Sequence, residues 1–147
     1  MKIAVGCDHA AVELKTALLE VLKEEGWEFT DFGVAAGEKC DYPDMAKTVC
    51  DHVASGEYDR GMLLCGTGIG MSMSANKVNG IRAALVTDVF GAKFTRLHND
   101  ANVICMGART TGAGLAGELL RVFLNTGYEG GRHAVRVEKM MALEKNQ

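Results

Sequence analysis

The sequence predicts an α/β fold, a parallel sheet with helices on both faces. Three observations predict it. Short apolar runs alternate with longer amphipathic segments from end to end. Gly26, Gly33, Asn79-Gly80 and Asp88 punctuate that alternation where elements stop or start. The 147 residues contain no internal repeat, low-complexity segment or linker, which makes residues 1–147 one domain.

Lys2 to Cys7 reads as the first strand. Ala11 to Glu25 reads as a helix with Leu14, Leu18, Val21 and Leu22 on one face. Glu13, Lys15, Glu20, Lys23 and Glu24 fall elsewhere on it, and Gly26 is its stop. Trp27 to Phe32 is the second strand, and a polar loop runs from Val34 to Tyr42. Pro43 suits the first turn of a helix that reaches about Val53. Asp59 to Cys65 is the third strand, and the helix after it begins near Ile69 and fades before Asn79. Ile81 to Thr87 is the fourth strand, and Asp88 caps a helix running to about Leu97. Asn102 to Met106 is the fifth. Leu115, Leu119, Leu120 and Phe123 line the buried face of the next helix. A glycine turn at 127–131 leads to a final helix from Arg132 to about Glu144.

The totals remove several classes of function. A net charge of −3 gives no global attraction to nucleic acid or an anionic membrane. Met1-Lys2 runs straight into Ile3-Ala4-Val5 without the longer apolar core of a secretion signal. No apolar run approaches the ~20 residues that span a bilayer. The five cysteines form no C-x-x-C pair, so neither a zinc knuckle nor a dithiol redox site is expected. Reduced thiols in a cytoplasmic protein are the simplest account.

Ligands of open parallel sheets bind beyond the carboxyl ends of the strands. Asp8-His9, Cys65 and Arg109 follow the first, third and fifth strands. Cys65 opens the run Cys65-Gly66-Thr67-Gly68-Ile69-Gly70, a thiol beside a glycine loop that feeds a helix. The run is not a dinucleotide fingerprint, because Met71 stands where a G-x-G-x-x-G would continue. It is not a P-loop, since no Gly-Lys pair follows, nor a cysteine-phosphatase loop, whose arginine is replaced by Met71. A lone cysteine at a strand end is commonly a small core hydrophobe. The glycines and Thr67 point the other way, since they suit close approach of backbone to an anionic or polyhydroxy ligand. Cys7 and Cys105 read as packing residues, and Cys40 and Cys50 receive no role.

His9 and His98 lie at element exits beside Asp8 and Asn99, which favours a functional reading, whereas His52 and His133 read as structural. Arg132 and Arg136, four apart on the expected helix, either grip one phosphate or form a solvated basic face.

Taken together, the motifs resemble one family. They are Gly6-Cys7-Asp8-His9, Asp41-Tyr42-Pro43-Asp44, the Cys65–Gly70 run, Ala75-Asn76-Lys77 and Gly80-Ile81-Arg82-Ala83. His98-Asn99-Asp100-Ala101-Asn102-Val103, Gly107-Ala108-Arg109 and Tyr128-Glu129-Gly130-Gly131-Arg132-His133 complete them. The sequence resembles the sugar-phosphate isomerases that include ribose-5-phosphate isomerase type B and the galactose-6-phosphate isomerase subunits. The resemblance covers nearly the whole chain. It implies a three-layer Rossmann-like or flavodoxin-like sandwich around five parallel strands. It also implies a homodimer or dimer of dimers with shared active sites, and aldose–ketose isomerisation without metal or organic cofactor.

Within the family the base is either a cysteine at the position of Cys65 or a glutamate at that of Ile69. This chain resembles the cysteine branch. By the same resemblance His98 opens the sugar ring, with Thr67 beside it. Asp8, His9, Tyr42 and Asn99 contact the sugar, and Arg109, Arg132 and Arg136 bind the phosphate. The amides of Gly66, Gly68, Ile69 and Gly70 would hold the enediolate oxygen. Ribose 5-phosphate is the expected substrate. A six-carbon phosphate such as allose or galactose 6-phosphate is the alternative, and a non-catalytic sugar-phosphate binder is a third reading.

Overall fold

A computed structural model describes residues 1–146. Five parallel strands form one sheet: β1 (Lys2–Cys7), β2 (Glu28–Asp31), β3 (Arg60–Cys65), β4 (Ala83–Leu85) and β5 (Val103–Gly107). Their spatial order is β2-β1-β3-β5-β4, so β5 inserts between β3 and β4. The helices are α1 (Val12–Glu24), α2 (Tyr42–Ala54), α3 (Ile69–Ala75), α4 (Val89–Asn99), α5 (Ala113–Asn125) and α6 (Ala134–Ala142). Turns of 3₁₀ helix at Gly131–His133 and Leu143–Asn146 flank α6.

The strands sort their side chains by a period of two. Ile3, Val5, Cys7, Met62, Leu64, Ile104 and Met106 face α1, α4 and α5, where Leu14, Leu18, Leu22, Ala92, Leu119, Leu120 and Phe123 meet them. Ala4, Leu63, Cys65, Val103 and Cys105 face α2 and α3, against Met45, Val49, Val53, Met71 and Ala75. This makes the sandwich three layers deep. Steps toward the β4 edge cross by α2 and α3, and return steps cross by α1 and α4 on the opposite face, as one handedness of crossover requires.

Several expectations change in detail. The fourth strand shrinks to Ala83–Leu85, an edge strand held on one side only. Arg82, just before it, instead donates through Nε to the Asp100 carbonyl at 2.8 Å. Lys15, expected on the polar side of its helix, is buried. Its Nζ lies 2.8 Å from the Asp31 carboxylate and donates to the Val34 carbonyl at 2.9 Å. Its position three and seven before Leu18 and Leu22 puts it on the core face, and the partner from β2 makes that burial tolerable. Leu115, expected on the buried face of α5, is 45% exposed, since the stripe that packs is Ala116, Leu119, Leu120 and Phe123. The final helix is interrupted: Arg132 lies in 3₁₀ helix and Arg136 in α6.

Candidate active site

Sheet topology positions the first cluster. After β1 the chain turns to one face of the sheet, and after β3 to the other, which opens a crevice between their carboxyl ends. The Asp8-His9 loop and the Cys65 loop meet there. The Asp8 N–H donates to the Leu64 carbonyl at 3.1 Å, and Asp8 Oδ1 accepts from the Ala10 N–H at 2.9 Å. A cleft of about 480 Å³ is lined by Asp8, His9, Tyr42, Cys65, Thr67 and Arg109, with Gly66, Ile69, Gly70 and Met73 completing it.

Cys65 is 5% exposed, and its Sγ accepts the Gly68 N–H at 3.1 Å. Gly68 adopts φ +76°, a left-handed conformation that glycine takes without strain. That turn aims its amide back at the sulfur. The Ile69 N–H donates to Thr67 Oγ1 at 3.3 Å, so Thr67 shapes the loop itself. The loop amides therefore divide their work: Gly68 serves the sulfur, Ile69 meets Thr67, and those of Gly70 and Met71 have no acceptor within the helix. A methyl group at Gly70 would stand 2.8 Å from the Tyr42 ring, so that glycine lets the phenol close over the loop. Arg109 donates its backbone N–H to the Gly66 carbonyl at 2.9 Å, and its side chain lies over Gly66.

The other cysteines contrast with Cys65. Cys7 points to the opposite face of the sheet, where burial pushes its thiol up to about 11 despite nearby Lys15. Burial also pushes Cys50 up to about 12 and Cys105 well above the usual thiol range.

The second cluster forms elsewhere. His98 lies in the last turn of α4, and that helix runs back from the carboxyl edge of the sheet to the start of β5. His98 therefore sits at a helix exit on the amino edge, not at the carboxyl ends of the strands where Cys65 lies. A hollow of about 250 Å³ there is lined by His98, Asn99, His133, Arg136, Val137 and Met140. Arg132 adjoins it, donating through Nε to His133 Nε2 at 3.4 Å. The buried Arg96 anchors the helix end through Asp100 at 2.8 Å and the Ala101 carbonyl at 2.5 Å. Thus Asp8, His9, Tyr42, Cys65, Thr67 and Arg109 come together in one cleft, and His98, Asn99, Arg132 and Arg136 in another region. The two hollows share no residue.

His133, which sequence reasoning set aside as structural, stacks on His98 with ring centroids 4.0 Å apart and planes at 13°. Its place in the Tyr128–His133 motif was the available signal. His98, Glu129 and His133 offer three potential metal ligands within 4.8 Å. The stacked rings point their lone pairs along near-parallel planes, so a shared ion would need one ring to leave the stack. A further hollow, about 670 Å³, opens on the far side of His9 and Arg109, between the starts of α1 and α5.

Residues 3–140 match the family model described as Ribose/Galactose Isomerase. The chain is 46% identical over 145 residues to a ribose-5-P isomerase B of Listeria innocua, covering 99% of this chain and 98% of that one. It is 44% identical over 146 residues to the ribose-5-phosphate isomerase B of Escherichia coli, with the same coverage. The solved structure of ribose-5-phosphate isomerase B from Clostridium thermocellum superposes with a TM-score of 0.96 at 46% identity, covering 99% of both chains. By sequence along nearly its whole length and by fold, the chain belongs to the ribose/galactose isomerase family.

Proposed function

We propose that the protein interconverts ribose 5-phosphate and ribulose 5-phosphate, with Cys65 as the base. The carrying observation is the Cys65 sulfur, held by the Gly68 amide in a cleft with Asp8, His9, Tyr42 and Arg109. In the aldose-to-ketose direction the thiolate takes the proton from C2. The released electron pair forms the C1–C2 double bond, and O1 becomes an oxyanion. The amides at the start of α3 stabilise that charge. The thiol returns a proton to C1, the O2 proton moves to O1, and C2 becomes the carbonyl. A phosphorylated sugar of this kind fits work in the cytoplasm and in pentose phosphate metabolism.

The ring-opening acid–base group is His98, and the phosphate ligands are Arg109, Arg132 and Arg136. A β5-length strand separates the two edges of the sheet by about 17 Å, at roughly 3.3 Å per residue. One pentose phosphate cannot reach both edges of one chain. We therefore assign the working form as a homodimer, alone or paired into a tetramer, in which His98, Asn99, Arg132 and Arg136 of one copy complete the Cys65 cleft of another. Exposed apolar residues support this: Met73 and Phe90, 65% and 70% exposed, on the helices leaving the carboxyl edge, and Leu143, 62% exposed, after α6. Isolated exposed apolar residues are ordinary, but three such large side chains suit a buried contact.

Steady-state turnover on ribose 5-phosphate, allose 6-phosphate and galactose 6-phosphate tests the reading. The highest kcat/KM is expected for ribose 5-phosphate, with solvent deuterium entering ribulose 5-phosphate at C1. Preference for a six-carbon phosphate would replace the substrate, and absence of exchange would leave only a binder.

A further inference from the structure

His98 is held between two rings. Phe94, one turn earlier on α4, meets its ring edge-on at 4.8 Å, and His133 stacks on it at 4.0 Å. The Glu129 carboxylate lies 3.8 Å from His98 Nε2 and 3.7 Å from His133 Nε2, close enough for charge but too long for hydrogen bonds. The Glu129 backbone is tied to the end of α4, since its N–H donates to the Leu97 carbonyl at 3.1 Å. Arg132 donates to His133 Nε2, so that nitrogen presents a lone pair and the ring carries its proton on Nδ1.

We propose that His133 and Glu129 are positioning residues for His98: the stacked imidazole fixes the plane of the His98 ring, and the carboxylate facing both ring nitrogens holds the pair in register during ring opening. The inference rests on the isomerase reading and deepens its ring-opening step. Two imidazolium rings at stacking distance repel, so the pair carries at most one positive charge. His133 is the partner that stays neutral. Its own burial pushes its basicity down, and His98, Arg132 and Arg136 push the same way, against Glu129. Were His133 only a packing residue, its loss would slow the aldose and ketose reactions alike.

The test compares two reactions of the same protein across pH. Ribose 5-phosphate is mostly a closed ring. Ribulose 5-phosphate stays open, because its C5 oxygen is esterified. For His133→Ala we expect aldose turnover to fall about tenfold, while C1 proton exchange into the ketose stays within about twofold. His133→Phe, which keeps the stacked ring, should restore most of the aldose rate. Glu129→Gln, at an exposed position, should lower aldose turnover about threefold and leave ketose exchange unchanged across the same pH range. Equal losses on aldose and ketose in His133→Ala, or an unchanged aldose rate in Glu129→Gln, would overturn the proposal. A wild-type protein that isomerises neither sugar would instead overturn the isomerase reading, so the two failures are distinguishable.

Discussion

At the carboxyl edge of the sheet, backbone does the holding. Cys65 is buried on a core strand, its sulfur receives a peptide N–H, and the glycines around it bring amides and the Tyr42 ring into contact range. At the amino edge, side chains do the holding. His98 lies in the last turn of an amphipathic helix, between the edge-on ring of Phe94 and the stacked ring of His133, and is ringed by Glu129, Arg132 and Arg136. Peptide dipoles neither titrate nor change rotamer, so they suit a base that must be an anion in a fixed place. Charged side chains set the protonation state of an imidazole with finer control, at the cost of sensitivity to pH.

The sharpest way to break this contrast is at the sulfur. Cys65→Ala should lower turnover by about 10³-fold or more, with the fold intact by circular dichroism, because it removes the base and leaves the loop. Near-normal turnover would end the assignment of Cys65. Next comes the division between edges. His98→Asn should lower aldose turnover about 10²-fold while sparing exchange on the open ketose. Mixing Cys65→Ala with His98→Asn chains under subunit exchange should then recover up to about a quarter of wild-type activity, since each mixed dimer keeps one site with both groups. No recovery despite demonstrated exchange would place both groups in one chain. The smallest effect sharpens the comparison among thiols. At pH 8 a thiol held near 11 or 12 stays protonated, so Cys7 and Cys50 should resist iodoacetamide. Cys105 should resist it for the same reason. Peptide mass mapping should show activity falling in step with labelling of Cys65. Early labelling of Cys7, Cys50 or Cys105 would contradict their burial.

Much of this molecule is legible in its chain. The alternation of apolar runs and amphipathic segments gives all five strands and the long helices, since each must bury a face that its own periodicity defines. The Cys65 loop is legible too, because a glycine turn after a strand is a local matter of φ and of close approach. Other features are not local. Lys15 looks like a surface charge until β2 supplies Asp31. Leu115 looks like core until α5 turns its Ala116 stripe inward. His133 looks like a turn residue until Glu129 ties its loop to the end of α4 and brings it onto His98.

By itself the sequence determined that the chain is α/β, that a thiol ends a core strand beside a glycine loop, and that it resembles an isomerase. Tertiary structure decided the strand order, the edge of the sheet on which each ionisable group stands, and therefore that Cys65 and His98 of one chain lie apart. The reason is physical. Period and turn chemistry act over a few residues, whereas the direction in which α4 and α5 return across the sheet depends on β5 pairing between β3 and β4, a contact no local pattern specifies.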